Sequence, residues 1–216
     1  MKTVKFLFVL LFILSTPLQL FGRVTESAEN LLRIIHKVNR HWQENNSPQV
    51  RSFWDNAAYH TGNMEVYELT GNPPYLKYST DWAEYNHWKG AASDNKAEWK
   101  YGYGETPQYV LFGDWQCCFQ TYADLYGIRG DDRRIARARE VLEYQMGTDK
   151  NDYWWWADGL YMVMPVMTKL YRITKNPLYL EKLYEYFSYA DSVMYDPEAG
   201  LYSVSYTHLR AHETVL

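Results

Sequence analysis

Three stretches of this chain repeat one pattern, and an internal repeat constrains a fold more tightly than any single segment does. Each begins with an aspartate close to tryptophan, continues as a helical run containing Tyr or Met, and passes through a short polar turn into a second helical run. The first extends from Trp54-Asp55 to Val66-Tyr67-Glu68-Leu69-Thr70-Gly71-Asn72, the second from Asp114-Trp115 to Leu125-Tyr126-Gly127-Ile128-Arg129-Gly130-Asp131, and the third from Trp156-Ala157-Asp158 to Leu170-Tyr171-Arg172-Ile173-Thr174-Lys175-Asn176. The aspartate stands 17, 17 and 18 residues before the Asn or Asp of the turn. The runs that follow, Pro74 to Trp82, Arg133 to Gln145 and Tyr179 to Tyr189, place apolar residues at spacings of three and four; Ile135, Ala138, Val141, Leu142 and Tyr144 show the helical period best. Each unit reads as a helical hairpin, with Gly or Asn at the turn where a left-handed residue closes the first helix. No run of alternating strands competes with this reading.

The anchoring acids lie 59 and 44 residues apart, a period of about fifty that exceeds those of tetratricopeptide and ankyrin repeats. Loops such as Gly90 to Gln108, rich in Gly, Lys and Tyr, account for the excess. Equivalent loops at one end of each hairpin gather on one face, so Asp55, Asp114 and Asp158 are expected at the same end of the array. A toroid of six such hairpins needs roughly 300 residues at this period, and the chain has 216. The expected fold is therefore all-α: an incomplete (α/α)6 barrel, about half present as three and a half hairpins, over residues 23–204. Ser205 to Leu216 abandons the pattern and reads as a non-native read-through tail.

Composition narrows the function. The chain is 47% hydrophobic and 22% charged, enough apolar material for a sizeable core. The net charge is -4, with Lys and Arg scattered, so no footprint for nucleic acid is present. Residues 1–22 carry Lys2 and Lys5, an apolar run from Phe6 to Leu14 and a cleavage zone near Gly22, the layout of a secretory signal peptide. That run is shorter than the roughly 20 residues a membrane span needs, so the mature protein is expected to be periplasmic or secreted, without a stable membrane anchor. Cys117 and Cys118 are neighbours and suit buried thiols better than a disulfide. His36 and His41, five apart, fall on different faces of a helix, and no metal site is expected. The 21 Tyr, 9 Trp and 8 Phe offer flat faces for sugar rings, although core packing accounts for most of them.

Two readings attach to Asp158, which sits in Asp152-Tyr153-Trp154-Trp155-Trp156-Ala157-Asp158-Gly159-Leu160-Tyr161-Met162. Aromatic walls that exclude water would disfavour its ionised form and keep it protonated as a general acid. As an N-cap it would instead accept helix amides, which lowers a carboxyl pKa. Asp114, preceded by Phe112-Gly113, has the same two readings, and Asp55 holds the corresponding place in the first unit.

Trp54-Asp55-Asn56-Ala57-Ala58-Tyr59-His60-Thr61-Gly62, Asp114-Trp115-Gln116-Cys117-Cys118-Phe119-Gln120-Thr121-Tyr122 and Trp154 to Pro165 together resemble glycoside hydrolase family 105, the unsaturated rhamnogalacturonyl hydrolases, which are related to the family 88 unsaturated glucuronyl hydrolases. The likeness runs in order from about Glu29 to Tyr202, the N-terminal half of such an enzyme. It implies an (α/α)6 barrel in which Asp158 and Asp114 match the two essential carboxylates. It also implies removal of a 4,5-unsaturated uronic acid from the non-reducing end of lyase-generated oligosaccharides by hydration of the double bond, with no cofactor. Tyr59, His87, Trp88 and Trp156 are the candidates for holding the oligosaccharide, and helix packing explains them equally well. Two other classes remain open: another (α/α)6 carbohydrate enzyme, mannanase-like or an epimerase, and a non-enzymatic helical solenoid that binds a partner.

Overall fold

A computed structural model describes residues 27–206. The expected signal peptide over 1–22, and the expected tail from residue 207 onward, lie outside the described residues. The chain divides into two compact units, Met1–Ser47 and Pro48–Leu216. The described part of the first unit is a helix, α1, over 27–45; Leu31, Ile34 and Val38, at helical spacing on it, are exposed.

The second unit carries the repeats, and each is a helical hairpin: α2 (Trp54–Thr70) with α3 (Pro73–Tyr85), α4 and α5 (Gly113–Gln116 and Cys118–Ile128) with α6 (Arg133–Met146), and α7 (Ala157–Thr174) with α8 (Leu178–Met194). The helices of the second run exceed their expected limits at both ends except at Arg133. The turns close in three different ways. Gly71 takes the expected left-handed conformation, φ 65°, and its N–H bonds to Tyr67 O, which satisfies an otherwise unpaired carbonyl of the last turn. In the third unit it is Lys175, not Asn176, that turns left-handed at φ 60°. In the second the left-handed residue is missing: Arg129 is extended, φ -142° and ψ 101°, and its N–H bonds to Leu125 O.

The first helices form one layer, α2 packing on α5 and α5 on α7, while α3, α6 and α8 each pack against the helix that precedes them in the hairpin. This two-layer arrangement is the hairpin architecture of an (α/α)6 fold. Its core is fully buried and strongly aromatic, with Trp82, Trp154, Tyr122, Tyr153, Tyr179 and Tyr186 among its largest side chains. Most of the chain's aromatic surplus is thereby explained as packing. Both cysteines are free and buried. Between α2 and α3 the polar groups satisfy one another: Asn63 Nδ2 donates to Ser79 Oγ and to Tyr75 O, both at 2.7 Å, and His60 Nδ1 lies 3.0 Å from Ser79 Oγ. His60 also stacks on Trp82 with ring centres 3.9 Å apart, and burial lowers its pKa to about 3.

Beyond α8 the chain leaves the helical pattern briefly. A short antiparallel pair, β1 (Tyr195–Asp196) and β2 (Leu201–Tyr202), joins Tyr195 to Tyr202 and Asp196 to Leu201. The chain then runs back beside the start of α7, where Ala157 N donates to Val204 O at 2.9 Å and Tyr206 N to Trp155 O at 3.2 Å. Ser205 is buried, so Ser205 and Tyr206, assigned to the tail by sequence, are packed against the third repeat.

Candidate active site

The start of each first helix carries an acid that does not cap it. The cap positions are held by Phe53, Phe112 and Trp156, none with a side-chain capping bond. Asp55, Asp114 and Asp158 each lie inside the first turn. The capping alternative therefore fails for Asp114 and Asp158, whereas Asp55 accepts from the Asn56 N–H at 2.9 Å and pairs with Arg51.

One indole sets the geometry between two of them. Trp156 is buried, with its ring wedged between Gly113, beside Asp114, and Gly159, beside Asp158. A Cβ added at Gly113 would meet Trp156 Cη2 at 2.9 Å, and one at Gly159 would meet the same ring at 3.3 Å. Glycine at both places lets the two helix starts approach the indole closely. Phe112 backs this arrangement, its ring centre 4.9 Å from that of Trp156, and Phe53 continues the wall, 4.7 Å from Trp115.

Asp114 is 6% exposed, and its Oδ1 is buried without a hydrogen-bond partner. Burial first, then the charges of Asp158, Glu105 and Asp55, push its carboxyl up to about 7. That the three neighbouring acids act on Asp114 places the carboxylates of all three repeats at one end of the layer, as their equivalent positions require. Asp158, in contrast, is exposed. Of the two readings open for each acid, the aromatic enclosure holds for Asp114, where Trp156 packs against Gly113, and neither holds for Asp158.

Arg51 and Glu105, which sequence reasoning passed over, complete the cluster. Arg51 pairs with Asp55 at 3.3 Å and with Glu105 at 2.5 Å, and its guanidinium lies 4.6 Å above the Phe53 ring. Arg51 lies just before α2, four residues ahead of Asp55 in its first turn. Glu105 comes from a loop 54 residues away and has no local signature.

The residues expected to hold sugar are dispersed. Tyr59 is half-buried on α2, one turn beyond Asp55, with its ring edge-on to His60 and Tyr78. His87 is exposed just after α3 with φ 54°. Trp88, expected at the substrate, is instead a core residue: it is 5% exposed, lies edge-on to Tyr122 and has the Arg134 guanidinium over its ring. Trp156 likewise serves as a spacer and presents no open face. The open aromatic faces near the cluster belong to Trp54, adjoining Asp55, and to Tyr103, whose hydroxyl reaches Glu105 at 3.5 Å.

Comparison with known proteins identifies the family and the fold. The family model described as Glycosyl Hydrolase Family 88 matches residues 28–214. An unsaturated 3S-rhamnoglycuronyl hydrolase from Formosa agariphila is 24% identical over 158 residues, which are 69% of this chain and 40% of that protein. A solved structure of a glycosyl hydrolase family 88 protein from Bacteroides vulgatus is 68% identical with a TM-score of 0.82, covering 83% of this chain and 51% of that one. A second solved structure, of a polysaccharide lyase, is 69% identical with a TM-score of 0.82 and coverages of 84% and 51%. The chain thus spans about half the length of these solved structures and less of the curated relative.

Proposed function

The chain belongs to glycosyl hydrolase family 88, and on that premise we propose that it carries the carboxylate pair of an enzyme that releases 4,5-unsaturated uronic acid from the non-reducing end of oligosaccharides. The parent polysaccharide in this reading is of the rhamnogalacturonan type, as in family 105, and the enzyme acts outside the cytoplasm. The supporting observation is the pair itself: two acids from successive repeats, spaced by one indole, of which Asp114 is buried with its carboxyl near 7. A pair whose environments differ this much is suited to moving a proton near neutral pH.

In the proposed reaction the proton that the pair holds on Asp114 below about 7 is delivered through Asp158 to C4 of the enol-ether double bond, and the positive charge that develops at C5 is met by water. Asp158 recovers a proton from that water, the resulting hemiketal collapses, and the attached sugar leaves. Asp114, neutral below about 7, shares the proton load and orients the uronide. The exposed position of Asp158 leaves it open to both substrate and water.

An absorbance assay on an unsaturated rhamnogalacturonan disaccharide tests this reading. Hydration destroys the conjugated double bond, so absorbance falls; a lyase acting on intact polysaccharide would create the bond and make absorbance rise. Asp158→Asn and Asp114→Asn are each expected to lower the rate by about 10² to 10⁴-fold, the usual worth of a general acid, with helical circular dichroism unchanged. A rising signal on intact polysaccharide, or Asp158→Asn turnover above roughly a tenth of wild type, would remove the proposed chemistry.

A further inference from the structure

The acids gathered at the helix starts present a problem for a substrate that is itself an anion. Asp55, Glu105 and Asp158 all act on Asp114 with the same sign, and a uronate approaching them meets repulsion unless a cation receives its carboxylate. Arg51 stands in the cluster, its guanidinium on Phe53 and Phe53 on Trp115, the residue after Asp114.

We infer that Arg51 recognises the carboxylate of the uronide and that Glu105 is the internal carboxylate the substrate displaces. The inference rests on the uronide reading above. A guanidinium presents a planar fork that matches a carboxylate two bonds at a time. Of its two partners, Asp55 is fixed in the first turn of α2, whereas Glu105 lies in a loop whose residues Gly102, Tyr103, Glu105, Thr106 and Pro107 are exposed. The Arg51 and Glu105 side chains are 45% and 44% exposed, and ion pairs so open to water stabilise little. Glu105 is therefore the partner that yields.

Binding of an unsaturated galacturonyl disaccharide and of its methyl ester, measured calorimetrically on the full chain, tests this. Wild type is expected to prefer the acid. Arg51→Gln should weaken binding of the acid by roughly tenfold or more, the worth of a charge-assisted hydrogen bond, and leave the ester unchanged. Glu105→Gln should strengthen binding of the acid several-fold by removing its competitor. Equal weakening of acid and ester by Arg51→Gln, or an acid preference that survives it, overturns the role of Arg51. If Arg51→Gln does not fold, unchanged acid binding in Glu105→Gln overturns it alone. If wild type binds both forms without preference, the Arg51 inference fails and the uronide reading stands; if it binds neither, that reading fails as well.

Discussion

Asp114 and Asp158 occupy equivalent places in their repeats, yet only Asp114 is buried with an unpartnered oxygen. Its raised carboxyl, at about 7 against the ordinary 3.8, means that the folded state holds this proton more tightly than the unfolded chain does. The stability associated with that proton is fully present below the ordinary carboxylate value and is lost as pH rises through 7. His60 works in the opposite sense, since its pKa is lowered to about 3 by burial, and its contribution is lost as pH falls through 6.5 toward 3. The urea midpoint of wild type alone therefore mixes the two slopes. The difference between wild type and Asp114→Asn isolates the first: it should move against wild type as pH is raised from 4 to 7.5. A difference that stays constant over this range would show that the carboxyl is not held neutral by the fold.

At the level of the elements, the decisive contact is the one that seats Trp156 between the starts of α4 and α7. Gly113→Ala puts a methyl group 2.9 Å from an indole that also lies close to Gly159. Overpacking of this kind costs about 1 to 3 kcal/mol, and it should push the Asp114 and Asp158 backbones apart. Gly62 provides the control. It is exposed in the middle of α2 with nothing within 4 Å of an added Cβ, so Gly62→Ala should stabilise by up to about 1 kcal/mol through helix propensity. Thermal unfolding of the two variants should thus shift in opposite directions. A Gly113→Ala protein as stable as wild type would show that Trp156 has room to move and does not set the spacing.

For the whole molecule, apolar residues left in water matter more than any one contact. In the Pro48–Leu216 unit, Leu180 and Tyr184 on α8 are exposed, as are Tyr195, Leu201, Tyr202 and Val204 in and beside the strand pair. Exposed apolar side chains promote association where they form a contiguous patch. The chain is expected to self-associate with rising concentration, as light scattering would show, and Leu201→Lys combined with Val204→Lys should reduce the association. A monomer at all concentrations would mean that these residues do not form an adhesive face.

The sequence by itself determined the hairpins, because a 3.6-residue period and the recurrence of an acid about 17 residues before each turn are local properties. It also determined that Asp55, Asp114 and Asp158 share one end, since equivalent positions in stacked units superpose. Local pattern did not reach the identity of the left-handed residue in the third turn, where Lys175 and Asn176 were both at hand. Nor did it show that Trp88 and Trp156 are interior, because an indole suits a core and a sugar face equally well. Only the tertiary structure decided which carboxyl is enclosed and which acid Arg51 meets from the distant loop: Trp156 reaches Gly113 across 43 residues and Arg51 reaches Glu105 across 54, and burial and charge depend on what the folded chain brings near, which spacing along the sequence does not record.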